Sequence, residues 1–364
     1  VLYTPSDGPF GDGDLTAAIT ILSDNVTLDL CDHTISYDTT SILGEVYGIQ
    51  IGWGYLPFLN MGDPEQSFDN ITVRNGTVRD NFPVGVFVYN ISFLFGISPP
   101  ALFSNITLTN LNVLDCGNLN VPTFPDSYIG PGIQFASDAT YRTFVQVDEP
   151  VAFSDIKIKN CKVNNCQTSP NQDGSCVYIY TVNNLLIENT QVNDFYSNQT
   201  VGYAYSIRGI NIVMSNCQGN GTRHFTGFDQ SGGLDLEESQ NIYVHQCQFN
   251  DVFGENSLIV NSNTSYLQNA IFESCQFNNY RGGPGVSLVA NVHMSDGADQ
   301  VIQGNGFKWI DCQFNVSSVT DDSICDTVCG FFSVTQSNMI FENCQFANVN
   351  ASNNTNVTET GGVF

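Results

Sequence analysis

The sequence predicts an all-β chain: a single-stranded right-handed parallel β-helix of about ten rungs with three short strands each. Three observations predict it. First, a block reading N-x-apolar-x-x-N-C-x-apolar-x-N recurs, most clearly at Asp155–Asn164 and Asn241–Asn250. Further copies end in Cys275-Gln276-Phe277-Asn278, Cys312-Gln313-Phe314-Asn315 and Cys344-Gln345-Phe346. Second, the copies lie roughly 27 to 50 residues apart, a solenoid period. Third, each block holds two short alternating runs, a strand signal. So small a unit cannot bury its own apolar face and must stack on its copies. Parallel crossovers are almost always right-handed.

One rung reads from Cys176 to Asp194. Val177 and Ile179 point inward on a first strand, and Tyr178 and Tyr180 point out. Asn183-Asn184 bends the chain. Leu185 and Ile187 form a second strand, Asn189 turns it, and Thr190 and Val192 fill a third. Stacked rungs turn equivalent residues into ladders about 4.8 Å apart. Asn75, Asn110, Asn160, Asn189, Asn216 and Asn343 form one ladder at the bend. Asparagine suits it, because it tolerates left-handed backbone angles and its amide can bond its copy one rung away. Cys161, Cys217, Cys247, Cys275, Cys312 and Cys344 form a second ladder just inside the bend. Val163, Val192, Phe249, Phe277, Phe314 and Phe346 form a third, in the core.

Two segments carry a family resemblance. Val26-Thr27-Leu28-Asp29-Leu30-Cys31-Asp32-His33-Thr34-Ile35 resembles the first coil of pectin-lyase-like right-handed β-helices, and Asn70–Arg79 is similar to their second. The segment from Gly11 to Ile19 resembles their short N-terminal cap helix. The later Cys-Gln-Phe-Asn rungs resemble β-helix proteins of giant viruses and amoeba-associated bacteria. The resemblance implies the fold and leaves activity open, since this fold carries enzymes and inert structural proteins alike. The expected organisation is a cap over 1–24, a β-helix over 25–349 and a tail over 350–364. Loop insertions are expected at 45–68, 119–153 and 280–306.

Composition narrows the function. The net charge is −26, with only ten Lys and Arg. That argues against nucleic acid, anionic membranes and polyanionic substrates, which need cationic contacts. No apolar run is long enough to span a membrane. Val1 in place of Met fits a processed mature form. Twelve N-x-[ST] sequons occur, where roughly six would arise by chance. With the acidity, they favour a secretory-pathway product at an extracellular or virion surface. Glycans are expected on Asn25, Asn70, Asn105, Asn198, Asn263, Asn350, Asn353 and Asn356, and not on Asn75 of the bend ladder. Of the twelve cysteines, the ladder set is expected to stay as thiols, whereas the loop pairs Cys166/Cys176 and Cys325/Cys329 are expected to bridge. The absence of C-x-x-C and of cysteine–histidine clusters argues against zinc.

The pectinase-type catalytic motifs are missing. There is no Gly-His-Gly and no Arg-x-Lys, and only four histidines occur. The family's catalytic residues therefore do not carry over. One acidic constellation remains. In Leu234-Asp235-Leu236-Glu237, the acids alternate with leucines and are expected to project to solvent. Tyr178 and Tyr180 lie two rungs earlier, Arg208 beside Glu238, and Asp229 on the connecting loop. This set could serve as a glycoside hydrolase or lyase pair, or as a sugar or Ca²⁺ site. The loop aromatics Trp53, Tyr55 and Phe58 can cover the helix, anchor a protein or stack on sugars. The leading expectation is a glycosylated extracellular structural or adhesive protein, a self-associating surface or fibre component of a virion or cell. The alternatives are a polysaccharide-acting enzyme using Asp235 and Glu237, and a non-catalytic carbohydrate-binding protein.

Overall fold

The computed structural model describes residues 2–3, 16–37, 46–52, 67–90, 101–117, 130–137, 151–168, 174–197, 202–224, 230–236, 239–261, 268–279, 281–290, 304–315, 327–328, 336–337, 340–347 and 359–360. Among them the chain is all-β. Twenty-nine strands form one sheet and every pairing is parallel. Successive coils stack in register, as a parallel β-helix requires. Strand Phe68–Arg79 pairs with Phe103–Leu114, that strand with Phe153–Lys159, and that with Gly174–Glu188.

Each coil turns at left-handed corners. Among the described residues, 27 non-glycine positions have positive φ, and 23 of them are Asn or Asp. These are the side chains that tolerate this region. All the positions but Thr181 fall at or beside three columns. One runs from Asn25 through Asn70, Asn105 and Asn184 to Asn269, and the second from Asn75 through Asn160 to Asn343. The third includes Asp80, Asp115, Asn165, Asp194 and Asp251. The second is the bend ladder read from the sequence, and its amides link coil to coil. Asn110 donates to Asn75 at 3.0 Å, Asn160 to Asn110 at 3.2 Å, and Asn189 to Asn160 at 3.1 Å.

The cysteine column sits inside this bend. From Gln191 to Gln345, the backbone amide of the glutamine after each column residue donates 2.9 Å to the carbonyl of the column residue one coil back. Each thiol also donates to backbone. Cys217 bonds the carbonyls of Ser215 at 3.3 Å and Ile187 at 3.4 Å, and Cys312 does the same with Ile310 and Phe272. Thr190 occupies the column between Cys161 and Cys217 and uses its hydroxyl on Glu188 and Ile158 in the same way. The column cysteines are thus small buried donors at a bend that needs them. Burial pushes the Cys161 thiol up to about 11, which keeps it protonated and inert.

One core column changes its side chains along the stack. Val78, Val113, Val163 and Val192 share it, Gly219 follows, and it continues as Phe249, Phe277, Phe314 and Phe346. The phenylalanine rings stack at 5.5, 5.3 and 5.0 Å. Another inward column reads Phe82, Cys116, Cys166, Phe195, Thr222, Val252. Thr222 is fully buried there and its hydroxyl has no hydrogen-bond partner. Thr222→Val is therefore expected to raise stability by about 1 kcal/mol in denaturant titration. A loss of stability would show that the hydroxyl is satisfied.

Of the segment read as a cap helix, residues 16–19 belong to strand Thr16–Ile21, which pairs with Val46–Ile51, and residues 11–15 lie outside the described residues. The strand's apolar Ile19 and Ile21 extend the core ladder. The three insertions also contribute strands. Val46–Ile51, Ile133–Ser137 and Arg281–Ala290 all pair in the main sheet. Phe68 and Phe135, expected on loops, lie fully buried in the core. In the tail, Glu359–Thr360 pairs with Thr327–Val328 in a separate two-stranded sheet.

Candidate functional site

The acidic constellation lies on the sheet that contains the first strand of each coil. Register places Gln50, Phe87, Gln134, Tyr178, Ser206 and Asp235 in one column on its outer face. Tyr178 and Asp235 are two coils apart, as the sequence indicates. The solvent expectation for Asp235 is corrected, because it is only 5 % exposed. The outer face of this sheet is covered, so alternation here separates two buried sides. Asp235 Oδ2 accepts a 2.7 Å hydrogen bond from Ser206 Oγ. Tyr178 and Tyr180 are likewise buried, with ring centroids 5.8 Å apart. Arg208, expected beside Glu238, lies with its guanidinium 4.6 Å over the Tyr180 ring and bonds the Tyr180 hydroxyl. The result is a covered polar layer of Gln134, Tyr178, Tyr180, Ser206, Arg208 and Asp235. Gln134 Oε1 accepts from the Gly130 amide at 3.2 Å.

Glu237 and Asp229 lie outside the described residues, as do Trp53, Tyr55 and Phe58. So do Cys325, Cys329, Asn198, Asn263, Asn350, Asn353 and Asn356.

A second feature was not read from the sequence. Beside the third corner column lies an open groove of about 730 Å³, lined by residues that include Asn164, Asn193, Asp194, Asn220, Arg223 and Asp251. One wall is a chain of amides. Asn193 donates to Asn164 at 2.8 Å, Asn220 to Asn193 at 2.9 Å, and Asn250 to Asn220 at 2.8 Å. Gly221, with φ of 71°, interrupts the acids, and a Cβ there would come 2.8 Å from Asp194 Oδ1. The recurring Asn at the end of each Cys-Gln-Phe-Asn block was the available signal, because it repeats at the same offset from the cysteine.

The sequon asparagines divide by geometry. Asn25 is exposed and accepts from the Asn70 amide at 2.8 Å. Asn70 and Asn105 are exposed too, but each spends its amide on a neighbour, Asn105 on Asp69 at 2.8 Å. Asn75 donates to Asp29 at 3.2 Å. Asn70, Asn75 and Asn105 are therefore alike in being corner residues with engaged amides, and the sequence-based contrast between them is not a geometric one. Asn90 is fully buried and donates to the carbonyls of Ala101 at 2.8 Å and Ala152 at 3.1 Å. Glycopeptide mapping is expected to find Asn25 occupied and Asn90 bare. A glycan on Asn90 would contradict the packing at this corner.

Cys166 and Cys176 are both buried and unbridged. A third buried thiol, Cys116, holds the ladder position of Cys166 one coil back, which the sequence did not indicate. Among the described residues no group of three His, Cys, Asp or Glu side chains is placed to hold a metal ion. No helix among them is long and apolar enough to cross a membrane. No family model matches the chain, and no curated protein matches it.

Proposed function

We propose that the chain is a right-handed parallel β-helix of about ten rungs, akin to the pectin-lyase-like family, that serves as an extracellular glycosylated structural or adhesive protein. In this reading it self-associates as a surface or fibre component of a virion or cell. One observation carries the reading. Asp235, the best-placed acid for catalysis, is buried and hydrogen-bonded to Ser206. A buried carboxylate bonded within its own sheet is a packing group, whereas hydrolysis needs two carboxyls flanking an accessible bond. The amide ladders support the same reading. They occupy corner side chains with neighbouring coils, which favours a stiff rod.

The test combines electron microscopy of native material with a reducing-sugar assay on a panel of neutral polysaccharides. Ordered assemblies without turnover are expected. Turnover by the parent that disappears in Asp235→Asn would replace this reading with the enzymatic one.

The groove favours a second reading, non-catalytic glycan binding. Its Asn, Asp and Arg side chains offer the mixed donors and acceptors that sugar hydroxyls require. A glycan array with the parent and Arg223→Ala distinguishes it. Binding lost in the variant supports the groove, and an array without hits removes it.

A further inference from the structure

Three cysteines outside the long column meet at one corner of the core. Cys116 and Cys166 hold the same ladder position in consecutive coils, with the Gln167 amide 2.9 Å from the Cys116 carbonyl. Adjacent rungs lie about 4.8 Å apart, inside the Cα separation a disulfide spans. Cys176 starts the next strand of the Cys166 coil, Gly174–Glu188. It is the copy of Gly132 one coil on, since the Gly132 amide donates to its carbonyl at 3.0 Å. That column reads Gly48, Gly85, Gly132, Cys176, Ala204 and Gly233. The small residues leave room beside the valine column, where a Cβ on Gly132 would come 2.3 Å from Val163 Cγ1. Sulfur fills part of that room. The same Cβ would lie 3.3 Å from Cys176 Sγ, and one on Gly85 would lie 3.3 Å from Cys116 Sγ.

Cys166 shares its ladder position with Cys116 and its coil with Cys176, so it is the cysteine the other two have in common. All three are fully buried and unbridged. Among the described residues the arrangement is not one placed to hold a metal ion.

We propose that Cys166 is the shared sulfur of an oxidisable trio, in which a disulfide to Cys176 forms and the Cys116 thiol exchanges with it to move the bridge to Cys116–Cys166. In the first step, the Cys166 and Cys176 thiols lose two electrons and two protons to a low-molecular-weight disulfide such as oxidised glutathione, which departs as two thiols. In the second, the Cys116 thiolate attacks Cys166 Sγ. The Cys116–Cys166 bond forms, the Cys166–Cys176 bond breaks, and Cys176 takes up the proton Cys116 gave. Burial restricts both steps to folding or local opening, where the Cys116 thiol can ionise; the exchange needs no outside oxidant or reductant. The two bridges constrain different parts of the chain. Cys166–Cys176 closes only residues 167–175, whereas Cys116–Cys166 closes residues 117–165 and both segments that leave this corner.

The parent and the variants Cys116→Ala, Cys166→Ala and Cys176→Ala are refolded from denaturant in a glutathione redox buffer. Links are then mapped by mass spectrometry of acid-quenched, non-reduced digests. The parent should hold a mixture of both bridges with one free thiol per trio. Cys116→Ala should hold only Cys166–Cys176, Cys176→Ala only Cys116–Cys166, and Cys166→Ala no bridge within the trio. A Cys116–Cys176 bridge in Cys166→Ala, or an unbridged trio in the refolded parent, would overturn the proposal. A second measurement uses the parent alone and does not depend on the variants folding. Material enriched in Cys166–Cys176 is incubated without redox reagent. Cys116–Cys166 should appear while the total free thiol count stays constant; a bridge that never moves overturns the exchange.

Discussion

Trp309→Ala is expected to cost about 3–5 kcal/mol of stability. Trp309 is fully buried and is the largest side chain in the core. Its ring stacks 4.1 Å from Phe272, with Phe341 on its other side at 6.3 Å. It also meets the edges of Phe277 at 5.7 Å and Phe314 at 5.5 Å. Truncation would open a cavity bordered by four aromatic rings, and stacked rings cannot close in without losing register. Urea unfolding followed by hydrogen exchange checks it. The lost protection should centre on Gln268–Glu273, Gly304–Ile310 and Ile340–Glu342, which pair through this column. A cost below about 1 kcal/mol would mean that the aromatic column does not hold these coils together.

Gly117→Ala is expected to be as damaging for a backbone reason. Gly117 has φ of 95°, and an added Cβ would come 1.8 Å from the Gln167 carbonyl oxygen and 2.6 Å from Pro131 Cβ. The left-handed region costs a non-glycine residue about 1–2 kcal/mol, and overpacking adds about 1–3 kcal/mol. The Gly117 amide also donates to the Phe82 carbonyl at 2.7 Å. Relief by moving the chain would break a bond between coils. Thermal unfolding should show a fall of several degrees or a failure to fold. An unchanged melting temperature would refute the close approach at this corner.

The cysteine, phenylalanine and second corner ladders were legible because one residue type recurs at one position in a fixed period. The third corner column was harder to read. It mixes Asn with Asp and Gly, so identity does not mark it even though φ does. The first strands of the earlier coils were hidden for a different reason. Val86–Asn90 and Ile133–Ser137 are buried at every position. A sheet covered on both faces loses the polar alternation that identifies a strand. The same burial misdirected the reading of Asp235, since Leu-Asp-Leu-Glu implies a solvent face only where that face is bare. The thiol trio was invisible because Cys116 and Cys166 are fifty residues apart and become neighbours only once the coils are stacked.

The uniform junction at the cysteine column bears on how such a chain can change length. From Gln191 to Gln345, each coil presents a carbonyl to the next coil and receives an amide from it in the same way, at the same 2.9 Å. A coil is therefore an exchangeable part. A duplication of one full coil, inserted between Asn216 and Cys217, would meet matching partners on both sides and lengthen the molecule by one rung spacing. An insertion of part of a coil would displace the three corner columns together, and every amide ladder beyond it would face the wrong residue. Selection on such a gene should therefore admit gains and losses in whole coils, and confine other length changes to the segments between strands.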